Sequence, residues 1–417
     1  MLRAGDRLPP APWMTAPETR AVIAALTAGG AEVRFVGGCV RDAVLGRPAK
    51  DIDFATHEPP ATVIERLDAA DIRAIPTGVE HGTVTAVVGD RHFEITTLRV
   101  DVETFGRHAR VAYTDDWVED AARRDLTINA LSCSVDGTLH DPFGGLEDLA
   151  LGRIRFVGEP AARIAEDRLR LLRYFRFYAH YGKAPPDETA LAACAAAATD
   201  LADLSGERVA GEMLRLLAAP DPAPTLRLMA ERGVLAHALP ARADIPRLAA
   251  LVAVEQTALG ADALRRLGAL QANGAEGAER IADRLKLSNA ERERLLRLAG
   301  VPADLTPDLD GPARRRLLYR LGSDAFRDAV ALAWAEAVRD GKATPTAEDW
   351  RVLLRDAESW SQPKLPVKGR DLVALGVAPG PEVGRLLAEI EVWWVAGGFR
   401  ADRAACLAYA RSLFKAT

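Results

Sequence analysis

The sequence predicts an α+β protein, with a small mixed sheet in the first third of the chain and helices in the rest. Before residue 100, short β-rich runs such as AEVRFVGG, DIDFAT and HGTVTAVV alternate with helical segments. After Pro160 β-rich runs nearly vanish, and Ala, Leu, Arg and Glu dominate. We expect these later segments to be helical: 161–182, 187–198, 204–219, most of 223–300, 311–339, 346–360 and 381–397.

The first third can be divided into elements in chain order. A helix over 16–29 ends at two glycines, and the strand AEVRFVGG follows. VRDAVLG is one or two helical turns, DIDFAT a second strand, and PPATVIERLDAA a helix opened by proline. HGTVTAVV and RHFEITTLR form two strands joined by the turn Gly89-Asp90. Residues 101–117 are polar and predict a mobile loop, and ARRDLTINALSCSV is predicted to begin the helical part.

Composition narrows the possible classes of protein. A length of 417 residues is enough for two to four packed units. The net charge of −5 gives no global basic surface, so a nucleic-acid partner must be bound through local patches. Four scattered cysteines without a CxxC pair argue against a zinc site or a disulfide framework. Without a signal peptide or a membrane span, a cytoplasmic protein is expected.

A possible metal site lies in DIDF, where Asp51 and Asp53 are two residues apart. On a strand, this spacing directs both carboxylates to one face. Two adjacent like charges are costly unless a cation lies between them, and Mg²⁺ takes oxygen ligands alongside substrate phosphates. Taken alone, an Asp-x-Asp pair is more often two solvated residues on an edge strand.

The stretch before this pair favours a phosphorylated substrate. Gly37 and Gly38 end a strand just before a helix, where bare N–H groups can approach an anion. Arg41 follows three residues later, and a guanidinium can bind phosphate through two hydrogen bonds. The glycines, the arginine and the aspartate pair together suit a metal-bound nucleoside triphosphate.

GGCVRDAVLGRPAKDIDF resembles the head motif of the class II tRNA nucleotidyltransferases and their poly(A) polymerase relatives, within the polymerase-beta-like superfamily. Further motifs of that family follow in its order. They are RRDxTxNA in ARRDLTINAL, DPxGG in DPFGG, EDxxRxxRxxRF in AEDRLRLLRYFRF, and S-x-E-R in SGERV. The match covers the first half of the chain. It implies a polymerase-beta-like head with a small mixed sheet, followed by an all-α neck, body and tail.

Asp167 and Arg170 are candidates for choosing the base. Three residues apart on a helix, they would share a face, which alone is more typical of a surface ion pair. An acceptor beside a donor, however, matches cytosine and adenine, which present an amino donor beside a ring-nitrogen acceptor. Uracil and guanine present the opposite order and would leave groups unpaired. The resemblance implies the same roles for both residues.

The remaining candidates are predicted to contact the nucleotide, the RNA or the metal. We expect Arg123 and Arg124 to meet phosphates, and the sequence leaves open which of them does so. The resemblance implies that their motif distinguishes ribose from deoxyribose, with Asp125 and Asn129 near the sugar hydroxyls. Other candidates, with a less defined partner, are Glu94 as a third carboxylate and Arg173 and Arg176 toward the triphosphate or the RNA end.

These observations predict addition of C and A to the 3′ end of tRNA from CTP and ATP, with Mg²⁺ held by Asp51 and Asp53. The predicted parts are a catalytic head (1–150), a nucleotide-selecting neck (151–220) and a tRNA-binding body and tail (221–417). No protein partner or membrane is implied. The alternatives are a poly(A) polymerase, an enzyme that adds only CC or only A, and a non-catalytic tRNA-binding protein. In the body, cations such as Arg314–Arg316 and Lys364 are more typical of solvated helix faces than of RNA contacts.

Overall fold

The structure is a computed structural model that describes residues 2–49, 51–105, 108–302, 305–342 and 345–415. The chain forms two compact units. The first comprises Met1–Ala241 and Asp283–Leu287, and the second comprises Arg242–Ala282 and Ser288–Thr417. The boundaries predicted at 150 and 220 both lie inside the first unit, and the three-part division stays a prediction.

The first part of the chain alternates helices and strands, as predicted. Its elements, in order, are α1 (Pro12–Thr15), α2 (Pro17–Thr27), β1 (Val33–Val36), α3 (Gly38–Val44), β2 (Ile52–Thr56), α4 (Pro60–Ala69), β3 (Arg73–Gly78), β4 (Thr83–Val88), β5 (Arg91–Thr97), β6 (Arg99–Phe105), β7 (His108–Tyr113), α5 (Trp117–Ala122), β8 (Ser132–Ser134), β9 (Leu139–His140) and α6 (Gly145–Leu151).

Seven of these strands form one mixed sheet in the order β3-β4-β5-β2-β1-β8-β9. β2 pairs parallel with β5 and antiparallel with β1, so the Asp-x-Asp strand lies at the centre. Each of the central strands β1, β2 and β5 contributes one phenylalanine to the apolar core of the sheet. Phe35, Phe54 and Phe93 are buried, with ring centroids 4.9 Å apart for the first pair and 6.1 Å for the second. This apolar core fixes the face to which the alternate residue Asp53 is directed.

The rest of the chain is helical, as predicted. In the first unit follow α7 (Pro160–Glu166), α8 (Leu169–Tyr181), α9 (Glu188–Ala196), α10 (Gly206–Leu217), α11 (Ala223–Glu231) and α12 (Leu235–Ala238). The later helices are α13 (Ile245–Ala258), α14 (Ala263–Leu270), α15 (Gly274–Leu285), α16 (Asn289–Ala299), α17 (Gly311–Leu321), α18 (Ser323–Arg339), α19 (Ala347–Glu358), α20 (Gly369–Val373), α21 (Pro381–Ala396) and α22 (Arg403–Lys415).

Apolar clusters hold the described helices of the second unit together. One joins α17, α18 and α19 around Phe326, Trp334 and Trp350. Another joins α20, α21 and α22 around Leu372, Ile390 and Cys406. Over the described residues, no helix has the length and apolar character needed to cross a membrane.

Two local predictions are wrong. Residues 101–117, predicted as a loop, contain the paired strands β6 and β7 and the start of α5. ARRDLTINALSCSV, predicted as helical, contains the end of α5, a 3₁₀ turn (Thr127–Asn129) and strand β8. Strands β6 and β7 pair with each other, and β8 pairs with the distant strand β1. Neither the polar composition of 101–117 nor the motif ending at Leu131 reveals these pairings. Within the predicted loop, residues 106–107 lie outside the described residues.

Candidate active site

Three carboxylates lie together at the middle of the sheet. Asp53 is in β2, and its register partner on the parallel strand β5 is Glu94. Asp51 is exposed and lies just before β2, which begins at Ile52, so the prediction that both aspartates are on the strand is wrong for Asp51. Its charge still acts on Asp53, as does that of Glu94.

The environment of Asp53 disfavours its charged form. Burial raises the pKa of its carboxyl to about 6, and the negative charges of Glu94 and Asp51 add to this effect. The positive charge of Arg124 opposes it without offsetting it. A buried acid next to other acids is stabilised in its charged form by a cation. The site therefore has the electrostatics of a place where a positive ion binds.

Protein side chains alone would not complete the coordination of a metal ion at this site. The described residues contain no preformed group of three or more His, Cys, Asp or Glu side chains able to hold a metal ion. Asp51 and Asp53 supply only oxygen donors, which hard divalent cations prefer. Mg²⁺ is usually bound by one or two carboxylates together with waters and substrate phosphates. The donor set thus fits a cation that is shared with a phosphorylated substrate.

The glycine turn before α3 brings Arg124 close to this site. Gly37 has φ 69° and ψ −123°, a conformation that favours glycine, and its N–H donates to Leu131 O at 3.0 Å. A Cβ added to Gly37 would lie 3.1 Å from Nη1 of Arg124. Arg124 is therefore the predicted phosphate-binding arginine that lies near Gly37 and Asp53. Arg123 and Arg124 share Asp120 as ion-pair partner, at 2.8 and 3.2 Å.

Arg41 is buried rather than directed to solvent. Its Nη1 donates to Oδ1 of Asn129 at 2.6 Å, and its Nε donates to Asp42 at 3.0 Å. Its guanidinium carbon lies 4.5 Å from the ring centroid of Tyr181. The structure thus joins Arg41 of the glycine-arginine motif to Asn129 of the RRDxTxNA motif.

Both carboxylate oxygens of Asp125 accept hydrogen bonds from neighbouring residues. Its carboxylate accepts from Leu126 N–H at 2.9 Å, from Nδ2 of Asn129 at 3.0 Å and from Nε of Arg173 at 2.6 Å. Burial alone would raise the pKa of this carboxyl, but the charge of Arg173 and these hydrogen bonds lower it to about 2. Asp125 and Asn129 are thus in contact, although their segment is not the predicted helix.

Arg173 and Arg176 have acidic partners. Arg173 pairs with Asp125, and its Nη1 lies 4.0 Å from Oε1 of Glu212. Nε of Arg176 lies 3.0 Å from Oε2 of the same glutamate. Glu212 is buried on α10. A role of either arginine toward the triphosphate or the RNA end stays a prediction.

The predicted helix over 161–182 is interrupted at Asp167. This residue has φ −146° and ψ 107°, between α7 and α8. Its carboxylate accepts from Leu169 N–H at 3.1 Å, and its carbonyl accepts from Arg170 N–H at 2.9 Å. A side-chain acceptor of this kind starts a new helix, because it satisfies an N–H that lacks a partner in the first turn. The expectation that Asp167 and Arg170 share a face of one helix is wrong.

Asp167 and Arg170 have different partners in the structure. Nη2 of Arg208 donates to both carboxylate oxygens of Asp167, at 3.0 and 2.9 Å. Arg170 donates to Glu166 at 2.5 Å and to Arg123 O at 3.0 Å. Arg170 is thereby joined to the backbone of the RRDxTxNA motif.

The DPxGG turn packs against the RRDxTxNA motif. A Cβ on Gly145 would lie 2.2 Å from Thr127 O, so only glycine allows this approach. Asp141 accepts from the N–H groups of Gly145 and Leu146 at 2.8 and 2.9 Å, which starts α6. Thr127 donates to the buried Asp148 at 2.6 Å.

Sequence analysis missed four acceptors and donors in this region: Asp42, Asp120, Arg208 and Glu212. Arg208 belongs to SGERV, which was recognised as a motif but given no chemical role. Glu212 lies among the buried residues of α10, Val209, Met213 and Leu216. An acid at such a core position predicts a cationic partner, because an unpaired buried charge is costly. This pattern was available from the sequence.

Comparison with known proteins identifies the family. Residues 33–155 match the Poly A polymerase head domain, and residues 186–245 match the probable RNA and SrmB-binding site of polymerase A. The mitochondrial CCA tRNA nucleotidyltransferase 1 of Mus musculus is 36% identical over 91% of this chain and 86% of its own length. The CCA-adding enzyme of Limosilactobacillus fermentum is 32% identical over 95% of this chain and 97% of its own.

A solved structure shows the same similarity. The Bacillus stearothermophilus CCA-adding enzyme in complex with CTP has a TM-score of 0.73 and 29% identity to this chain, covering 96% of it and 99% of the solved chain. The relatives and the solved structure agree over nearly their whole lengths. The chain therefore belongs to the family of CCA tRNA nucleotidyltransferases, the CCA-adding enzymes.

Proposed function

We propose that the protein adds C and A nucleotides to the 3′ end of tRNA, using CTP and ATP and no nucleic-acid template. One observation supports this function most strongly: the carboxylate site around Asp53 lies next to the motifs that are proposed to bind a nucleotide. Arg124 lies against Gly37, and its positive charge partly opposes the rise in the pKa of Asp53 that burial and Glu94 cause. Arg170 hydrogen-bonds to the backbone of the adjacent Arg123.

Asp51 and Asp53 are proposed to hold Mg²⁺, with Glu94 as a possible third carboxylate of the site. The raised pKa of Asp53 and the all-oxygen donor set support this assignment. When bound, the ions lower the pKa of the RNA 3′-hydroxyl and neutralise the leaving pyrophosphate. Arg124 is suited to bind a phosphate of the triphosphate beside the Gly37-Gly38 turn, because its guanidinium already lies there.

Base selection is proposed to rest on Asp167 and Arg170. Each carboxylate oxygen has about two acceptor sites. Oδ1 of Asp167 accepts from Leu169 N–H and Arg208, whereas Oδ2 accepts from Arg208 alone. Oδ2 therefore has capacity for the amino group of cytosine or adenine. Arg170 has N–H donors beyond those used by Glu166 and the backbone, and one of them is suited to the ring nitrogen.

Sugar selection is proposed to rest on Asn129, held by Asp125 and Arg41. Its Nδ2 carries two hydrogens and uses one on Asp125, which leaves one for a sugar hydroxyl. Binding of the tRNA body is assigned to residues 221–417. Within this part, Arg314 pairs with Asp356 at 2.6 Å. A cytoplasmic location stays a prediction, since one of the relatives is named as mitochondrial.

Incubation with a tRNA that lacks its 3′ CCA, Mg²⁺ and each labelled nucleoside triphosphate tests this function. We expect two C residues followed by one A. Long A tails would indicate a poly(A) polymerase, and addition of only C or only A would indicate a narrower enzyme. No incorporation of any nucleotide would contradict enzymatic activity and favour a tRNA-binding protein.

A further inference from the structure

One face of α8 is continuous with the nucleotide motifs. Arg173, Phe177 and Tyr181 are spaced four residues apart, so they lie on the same side of this helix. Arg173 pairs with Asp125, and the guanidinium carbon of Arg41 lies 5.1 Å from the ring centroid of Phe177. The first two residues of this face belong to the EDxxRxxRxxRF motif, whereas Tyr181 lies beyond it.

Tyr181 closes a ring of hydrogen bonds that begins and ends on α8. Its hydroxyl donates to Oδ1 of Asp42 at 2.9 Å. Asp42 accepts from Nε and Nη2 of Arg41 at 3.0 and 3.1 Å, and Nη1 of Arg41 donates to Asn129 at 2.6 Å. Asn129 donates to Asp125 at 3.0 Å, and Asp125 accepts from Arg173 two helical turns before Tyr181.

We propose that Tyr181 is a positioning residue for sugar selection, acting through Asp42 and Arg41 on the side-chain amide of Asn129. This inference rests on the proposed function, in which that amide meets a sugar hydroxyl. Asn129 is held at both ends, because its Oδ1 accepts from Arg41 and its Nδ2 donates to Asp125. The Arg41 bond fixes which end of the amide faces the nucleotide.

The hydroxyl of Tyr181 matters to this arrangement because Asp42 has few other anchors. The carboxylate of Asp42 orients two nitrogens of Arg41, and Tyr181 orients the carboxylate from a different helix. Without the hydroxyl, the carboxylate of Asp42 loses the hydrogen bond from α8 that orients it, and the guanidinium of Arg41 then loses a fixed partner. The aromatic ring of Tyr181 would still contact Arg41 and Arg47, whose guanidinium carbons lie 4.5 and 4.8 Å from its centroid. A phenylalanine at position 181 would therefore keep these ring contacts and remove only the hydrogen bond that orients Asp42.

The variant Tyr181→Phe tests this role, and Tyr178→Phe is its matched control. Tyr178 lies on the same helix, and its hydroxyl also donates one hydrogen bond, at 3.0 Å to Ala184 O, outside the ring. The readout is the ratio of kcat/KM for CTP to kcat/KM for dCTP on a tRNA without its CCA end. We expect Tyr181→Phe to lower this ratio roughly five- to ten-fold, or about 1 to 1.4 kcal/mol. Tyr178→Phe should change it less than about two-fold.

Thermal unfolding of both variants shows whether a lowered ratio comes from a misoriented Asn129 amide or from a destabilised fold. A lowered ratio in Tyr181→Phe alone, with unfolding like that of the control, supports the inference. An unchanged ratio in Tyr181→Phe, or an equal fall in both variants, overturns it. If Tyr181→Phe does not fold, Asp42→Asn tests the same link and should lower the ratio by a similar factor; an unchanged ratio would overturn the inference. Wild-type protein that adds neither nucleotide would instead overturn the proposed function, and this inference with it.

Discussion

Two aspartates of the first unit, the half-buried Asp53 and the buried Asp125, have carboxyl pKa values shifted in opposite directions. Asp53 lies beside Glu94 and Asp51, and burial with these charges raises the pKa of its carboxyl to about 6. Asp125 is even more buried, but the charge of Arg173 and its hydrogen bonds lower its pKa to about 2. The protein itself supplies a cation, Arg173, at Asp125. At Asp53 the neighbouring acids outweigh Arg124, and the proposed function assigns the missing positive charge to a bound metal ion.

Replacing Asp53 should have the largest effect on activity and little effect on folding. Asp53→Asn removes a charge that is proposed to hold the metal ion, so we expect nucleotide addition to fall at least roughly a thousand-fold. The same change relieves repulsion with Glu94, so the free energy of unfolding should stay equal or rise when divalent ions are absent. Asp90→Asn, in the exposed β4–β5 turn, is the control for single-nucleotide incorporation. Near-normal activity of Asp53→Asn would contradict the assignment.

Replacing Asp125 should produce the reverse pattern in stability. Asp125→Asn leaves Arg173 without its main partner, and breaking a partly buried ion pair costs about 2 kcal/mol. Urea unfolding of Asp125→Asn and Asp53→Asn under the same conditions measures the difference. Equal free energies of unfolding for the two variants would remove the distinction between their sites.

The pH dependence of stability sharpens the same contrast. A carboxyl with a lowered pKa in the folded state stabilises the fold above its unfolded pKa of roughly 3.9. Asp125 should therefore contribute fully above about pH 4 and lose up to about 2 kcal/mol as the pH falls through 2. The free energy of unfolding of Asp125→Asn should fall less steeply than that of the wild type in this window. Parallel curves would show that Asp125 is not the responsible group.

A smaller effect is expected at the glycine turn. Gly37→Ala forces a side chain into φ 69° and against Arg124 at 3.1 Å, so the KM for the nucleotide should rise several-fold. The strain should also lower stability by about 1 kcal/mol. Gly89→Ala is the matched control, because Gly89 has φ 58° but open space around it. It should lose similar stability without a change in KM, and an equal rise in KM for both variants would exclude a specific role of Arg124.

The sequence predicted the fold where periodicity and turn residues are local. The strands around Phe35 and Phe54, the hairpin at Gly89 and the later helices were all expected. It failed at three places. The polar composition of 101–117 does not reveal the β6–β7 pair, β8 pairs with the distant strand β1, and a local hydrogen bond from Leu169 N–H to the side chain of Asp167 starts α8.

The candidate site was predictable in its residue types but not in its pairings. Motif order identified Asp53, Asp125 and Arg170 as site candidates. The apolar neighbours of Glu212 indicate that it needs a cationic partner, but they do not say which one. Its pairing with Arg176, like that of Arg208 with Asp167, depends on how α10 packs against α8 and the segment before it. The environments of Asp53 and Asp125 likewise depend on strands and helices far away in the chain.

Binding of Mn²⁺ in the presence of CTP and the absence of tRNA tests most directly whether a ligand completes the carboxylate site. Electron paramagnetic resonance of protein-bound Mn²⁺ should show tight binding by the wild type and by Asp90→Asn. Binding should be lost in Asp51→Asn and Asp53→Asn, because each variant removes one of the two carboxylates proposed to hold the ion. Undiminished binding in both of these variants would contradict a metal site at Asp51 and Asp53.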